Sequence, residues 1–397
     1  MLACMKRRLL LFSSLFALLL LTWLTLPGLH TAQQIGAKAL GLEVKSSANN
    51  LQALSTAAGF KVVRYYGDIP GPRGLAISRA GLIVSSPAEG AVYRLVDSDH
   101  SGSAKSHLTL VDNLIRPSGL EIHDNWLYIA EADAIGRIAY NPLNGATQGS
   151  YQRIIHDLPS GGNHWRRVIH VGPDGWLYLA IGSSCNVCIE EDTRRGSIMR
   201  FHSDGSGGEI VARGLRNSAG FDWAPWNQQL YATDNGRDWL GDDEPPDELN
   251  RVTQGSHYGW PFSNGFGATD PDYGNHPDKP LQASKSPVHG FRPHNAALGI
   301  IFNRSDSLPP SYRRSAFVAL HGSWNRSVPD GYKVVSLQWK EDGSIVENDL
   351  LWGFLTATGR ILGRPAELAQ GEDGSLYISD DFADTLYRLY PDNRVAK

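Results

Sequence analysis

Pro117-Ser118-Gly119-Leu120-Glu121-Ile122 runs through a short polar turn into Trp126-Leu127-Tyr128-Ile129-Ala130, and then into Gly136-Arg137-Ile138-Ala139-Tyr140. Short apolar and aromatic runs separated by Gly, Asp and Asn read as consecutive antiparallel strands. The unit recurs. It appears earlier from Arg73, and later from Arg167, Ala219, Leu298 and Pro365, each time with a second strand built like Leu177-Tyr178-Leu179-Ala180 or Leu376-Tyr377-Ile378-Ser379. Six such units, most of them about 45–50 residues apart, predict an all-β chain folded as a six-bladed β-propeller with four-stranded blades. Phe60–Tyr66 is the expected outer strand that closes the last blade. Pro173-Asp174-Gly175 and Glu372-Asp373-Gly374 are the expected hairpin turns within blades. The Gly-, Pro- and Asp-rich insertion from Pro261 to Asn295 is expected to be a loop on the funnel face or its rim. A pair of β-sandwiches is the competing architecture, and six repeats speak against it.

The 397 residues carry a formal net charge of −4, too small a bias to suggest nucleic acid or a basic partner. Lys6, Arg7 and Arg8 precede an uncharged apolar run from Leu9 to Leu26. That pattern is a signal peptide or a membrane anchor within residues 1–32, and the positive flank directs the remainder to the exported side, periplasmic or held at the inner membrane. Residues 33–58 read as a linker and 59–397 as the propeller.

His164 follows Gly161-Gly162-Asn163 and precedes a strand, so it sits where propeller sites form. With a reference pKa near 6.5 an imidazole there can accept a hydroxyl proton, although a solvated loop His has the same local sequence. Arg216-Asn217 opens the fourth unit and offers planar, multi-donor chemistry suited to carboxylates and carbonyl oxygens, or plain surface decoration. Cys185 and Cys188 lack a second Cys pair for zinc and a βαβ context for redox exchange, so a local disulfide is expected.

The ordered set Gly161-Gly162-Asn163-His164-Trp165-Arg166-Arg167, Gly214-Leu215-Arg216-Asn217, Asp247-Glu248-Leu249-Asn250 and His257-Tyr258-Gly259-Trp260-Pro261 resembles the glucose/sorbosone dehydrogenase family. The resemblance implies oxidation of an aldose or sorbosone-type sugar with pyrroloquinoline quinone (PQQ) and calcium, and electron delivery to an external acceptor. It implies His164 as general base, with Asp247 near the catalytic centre and able to orient His164 or a water. Arg216 and Asn217 would contact the quinone, and Arg364 and Arg326 would clamp its carboxylates. The carbonyls of Gly236 and Arg237 would hold a PQQ-bound calcium, and Glu248 with the Tyr258 carbonyl a second, structural one. The sequence departs from the family pattern in two places: Ser218-Ala219-Gly220 stands where Pro-Gln-Gly is usual, and Ala366 stands where a second arginine follows Arg364. Two other functions remain open on the same fold. One is a calcium-dependent lactonase-like hydrolase, which needs acidic ligands from several blades. The other is a non-catalytic exported propeller that binds carbohydrate or protein.

Overall fold

The structure, a computed structural model, describes residues 50–99 and 101–392. The expected leader at 1–32 and the first part of the linker lie outside these residues. Among the described residues no helix is long and apolar enough to cross a membrane.

Six antiparallel sheets form the blades of a propeller, each with its first strand innermost. Blade 1 comprises Leu75–Ser78, Gly81–Ser86, Ala91–Val96 and Ser106–Val111, and blade 2 comprises Gly119–His123, Trp126–Ala130, Ile135–Tyr140 and Thr147–Ile155. Blade 3 (Arg167–Val171, Leu177–Ile181, Ser197–Phe201, Glu209–Arg213) gains a short parallel fifth strand, Ser256–His257. Blade 4 begins with Gly220–Trp223, Leu230–Asp234 and Asp247–Val252. Its outer strand, His289–Phe291, comes from the insertion read above as loop; it pairs with Asp247–Leu249 and buries Phe291 in the core between blades 4 and 5.

Blade 5 (Ala297–Phe302, Ser315–Leu320, Lys333–Trp339, Ile345–Trp352) corrects the linker boundary. Ser55–Thr56 adds a strand to its outer edge, and Leu51, Leu54 and Ala57 pack on the core between blades 5 and 6. Residues 50–58 therefore belong to the propeller. Blade 6 (Pro365–Gln370, Leu376–Asp380, Thr385–Pro391) is completed by Phe60–Gly67, paired from Phe60↔Pro391 to Gly67↔Thr385. The expected closing strand is in place, and it ties the start of the ring to its end.

Burial follows from this packing. The second strand of blade 3, Leu177–Ile181, is buried at every position because neighbouring blades cover both its faces, whereas the outer strand Thr147–Ile155 is mostly exposed. Apolar clusters lie between blades; Tyr128, Ala130 and Ile135 of blade 2, for example, meet Ile169, Leu179 and Ile181 of blade 3. Around the axis the backbones crowd. A Cβ on Gly74 would fall 2.2 Å from the Ser118 carbonyl oxygen, and one on Gly220 would fall 2.3 Å from that of Leu298. Only glycine fits, because the obstacle is backbone and cannot rotate away.

Gly220→Ala is therefore expected to destabilise by about 1–3 kcal/mol or more. Gly161→Ala, where nothing lies within 4 Å of the added carbon, should stay within about 0.5 kcal/mol of the parent. Denaturant unfolding of both variants checks this, and equal midpoints would contradict the crowded axis.

Candidate active site

One end of the axis opens into a cavity walled by the segments that lead into the inner strands. His164, Arg216, Asn217, Gly236 and Asp247 all line it, so residues scattered over eighty positions of sequence share one space.

The Gly161-Gly162 turn brings the chain against the Ser183–Ser184 segment: Gly162 adopts φ +86°, and the Asn163 N–H donates to the Ser184 carbonyl (3.0 Å). His164 follows. Its Nδ1 lies 3.0 Å from the Ser183 carbonyl and 2.9 Å from Ser183 Oγ, and that hydroxyl donates onward to the Cys185 carbonyl (2.7 Å). With the serine proton spent, both neighbours of Nδ1 are acceptors. Nδ1 therefore carries the hydrogen, and Nε2 keeps its lone pair. Burial, and then the charges of Arg216, Arg195 and Arg166, push His164 down to about 3, so the ring is neutral at pH 7. Cys185 and Cys188 are disulfide-bonded, which closes the loop that carries this serine contact.

Arg216 is buried and fully engaged. Nε donates to the Asn186 carbonyl (2.8 Å), Nη1 to the Gly236 carbonyl (2.9 Å), and Nη2 to Asn186 Oδ1 (2.9 Å) and Asp238 Oδ2 (3.0 Å). The backbone N–H groups of Arg216 and Asn217 both donate to the Asp234 carboxylate, at 2.9 and 2.7 Å. Asp247 does not touch His164. Its oxygens accept from the Gly236 N–H (2.9 Å) and the Ala296 N–H (2.6 Å), so it fixes the Gly236 carbonyl rather than the imidazole, and Ser183 does the orienting. Burial raises Asp247 to about 6.

The expected carboxylate clamps lie elsewhere. Arg364 donates to the Gly322 carbonyl (3.0 Å) and stacks on Tyr332, while Arg326 is bound to the carbonyls of Asp242, Pro293 and Val328; neither lines the cavity. Blade 5 instead offers His321, whose Nε2 is 2.7 Å from Asp381 Oδ1. Arg73 Nη1 holds the other oxygen of Asp381 at 2.6 Å, and Arg166, stacked on Trp165, reaches it at 3.5 Å. Two guanidiniums and an imidazole thus share one carboxylate, leaving surplus positive charge on the wall. The neighbouring Arg73 charge is the main influence that pulls Arg166 down to about 10. The sequence held a signal for Arg73: it stands one residue ahead of the first inner strand, much as Arg364 stands directly before the last. Asp381 carried no such mark.

Across the sequence, residues 126–388 match the Glucose / Sorbosone dehydrogenase family. The chain is also 32% identical over 352 residues to an uncharacterized protein of Borreliella burgdorferi, covering 85% of this chain and 90% of that one. The chain belongs to the glucose/sorbosone dehydrogenase family. Among solved structures, a calcium structure of a Trichoderma reesei member of carbohydrate-active enzyme family AA12 superposes with a TM-score of 0.73 at 21% identity (87% of this chain, 100% of that one). The holo PQQ domain of Coprinopsis cinerea pyranose dehydrogenase gives 0.69 at 20% identity (85% and 97%). Both show the same fold.

A second, smaller cavity adjoins the first through Gly236 and brings together Asp234, Glu248 and Tyr258, with Arg237 on its wall. The two carbonyls assigned from the family to one calcium therefore do not share the main cavity: Gly236 borders both spaces and Arg237 only the smaller. The Arg237 side chain is tied to Asp270 (2.8 Å) and Asp272 (2.9 Å). Burial raises Asp234 to about 7, and burial together with the Asp234 charge raises Glu248 well above its usual range. Such a pair of desolvated carboxylates is a poor structural feature unless a cation neutralises it.

Because part of the depression of His164 comes from Arg216, Arg216→Met should raise the His164 pKa while leaving it below 6.5, since burial remains. An NMR titration of the imidazole checks this; an unchanged value would mean that burial alone holds the ring neutral.

Proposed function

We propose that this chain is a sugar dehydrogenase that uses PQQ and calcium and passes electrons to an external acceptor. The observation that carries the reading is a half-buried, neutral imidazole, its Nδ1 proton fixed by Ser183, facing a cavity with surplus guanidinium charge. The cavity also suits a polar, anionic guest: Asn325 is 7% exposed, lines it, and leaves both amide atoms without a hydrogen-bond partner among the described residues. Arg73, Arg166 and His321 would take carboxylates, and Asn217 the opposite end, with Arg216 holding the Gly236 carbonyl beside it. The Gly236 carbonyl would serve a cofactor-bound calcium. Asp234, Glu248 and the Tyr258 carbonyl would form a hard-oxygen set for a second calcium, with Asn250 Oδ1 buried and without a hydrogen-bond partner among the described residues on the same strand as Glu248.

When bound, the quinone supplies a hydride acceptor and calcium a Lewis acid. The chain's own part is to hold the sugar hydroxyl at His164 Nε2, which takes its proton as Ser183 steadies the ring. Three carboxylates in the cavity would offset the guanidinium field that holds His164 down, bringing the base closer to its working range. Pyranose dehydrogenase of Coprinopsis cinerea, with its PQQ domain, is a relative in fold, and sugar is the substrate class we carry over. A lactonase is less well supported, because Asp234, Asp247 and Glu248 all come from blade 4 rather than from several blades. The charged and apolar run at 6–26 supports export, to the periplasm or to an inner-membrane anchor.

Reconstitution with PQQ and calcium should give sugar-dependent reduction of an artificial dye, and His164→Ala should lower kcat by about 10²–10⁴-fold. Lactone cleavage without PQQ, or a folded protein inert in both assays, would overturn the proposal. Calcium alone should raise the thermal midpoint of the parent and have little effect on Glu248→Gln; scanning calorimetry with and without chelator reads both.

A further inference from the structure

A further cavity opens at the other end of the axis. The upper cavity reaches down the inner strands to Ser118, Val168, Leu298 and Glu367, and the lower begins at Leu120, His170, Ile300 and Leu368. No more than one residue per strand therefore separates them, a wall on the order of 7 Å at about 3.3 Å rise per residue. Gly119 and Gly299 are two of those residues, so the wall is thin in side chains as well.

Glu367 stands in this wall. Its Oε1 accepts from the Leu368 N–H (3.1 Å) and lies where a Cβ on Gly299 would be 2.3 Å away; its Oε2 has no hydrogen-bond partner among the described residues. Below it, His170 lines the lower cavity, with Nδ1 2.7 Å from Glu121 Oε2 and no described partner on Nε2. Asp222, beside them, is already held by Arg304 at 2.6 and 2.8 Å. The groups acting on Glu367 are His170 and Arg73, which favour its ionised form, and Asp222, which opposes it; burial outweighs them and raises its pKa. His170 is opposed by burial, but the Glu121 bond, helped by Asp222 and Glu367, raises its pKa. Both groups thus hold a proton more readily than their free side chains do.

We propose that Glu367 and His170 form a proton conduit through the propeller axis, carrying protons from the upper cavity to water in the lower one. The inference rests on the dehydrogenase reading. Oxidising a sugar hydroxyl to a carbonyl frees two electrons and two protons; the electrons go to the external acceptor, and the protons must reach solvent. Guests filling the upper cavity would cover its mouth and leave the floor, where Glu367 stands, as the other way out. Glu367 takes a proton on Oε2 and gives one through water to His170 Nε2. Glu121 stabilises the imidazolium until the proton passes to the lower cavity, and both groups return to their starting state.

The test uses Glu367→Gln and His170→Gln in the cofactor-loaded protein. Expected are a KM within about twofold of the parent and a kcat lowered about tenfold or more at low buffer concentration. The solvent isotope effect should increase, and acetate or imidazole should restore rate as it is added. An unchanged kcat at low buffer, or a loss that neither D₂O nor added buffer alters, overturns the conduit. In the cofactor-free protein, Glu367→Gln should lower the His170 pKa read by NMR, because a facing negative charge is gone; an unmoved His170 also overturns it. If the parent itself reduces no dye with PQQ and calcium, the dehydrogenase reading fails, and the NMR coupling still reports on the pair separately.

Discussion

The antiparallel pairing of Phe60–Gly67 with Thr385–Pro391 closes the ring, and every other feature depends on it. A propeller blade is a small sheet with two apolar faces, and each face is covered only if the next blade is present. The seam gives the last blade its fourth strand and the first blade its neighbour. Ser55–Thr56 extends the same principle one blade further, pinning the segment before the seam to the outer edge of blade 5. Once the ring is closed, the segments that precede five of the inner strands point into one space, and chemistry can be assembled from residues with no proximity in sequence.

Charge in that space is arranged by which donors are already occupied. Arg216, Arg326 and Arg364 have their donors turned to carbonyls and, for Arg216, to Asp238 as well; they act as fasteners between loops. Arg73 and Arg166 share a single carboxylate with His321, so their charge is only partly cancelled. The same logic in reverse holds next door, where Asp234 and Glu248 lie buried together with too few cations. A wall with partly uncancelled guanidinium charge and a pocket that buries two carboxylates together are complementary imbalances, and an anionic cofactor with a divalent ion would meet both. The axis below shows a third arrangement: Glu367 and His170 each keep one atom without a hydrogen-bond partner among the described residues, where a purely structural polar group would be fully paired.

Much of the fold was legible because blade strands leave a local signature, apolar runs such as Trp126–Ala130 bounded by turn residues. The outer strand at His289–Phe291 was not legible, since three residues carry no periodicity and pairing alone makes them a strand. At the site, His164, Arg216 and Asn217 could be found from their motifs and share the cavity. Arg326 and Arg364 could also be found and do not line it, because residue type does not say which way a long side chain turns. Arg73, Arg166, His321 and Asp381 come from four places in the chain, and their convergence left little trace in any one of them.

What the sequence determined by itself was the repeat, its number, the strand that closes it and the family. Those are properties of local pattern and spacing, and hydrophobic period and turn chemistry act over a few residues. Only the tertiary structure decided which cations are only partly neutralised, that Ser183 rather than Asp247 holds the imidazole, and that a carboxylate stands between two cavities. Each of these depends on distances between side chains from different blades, and those distances exist only after the ring has closed.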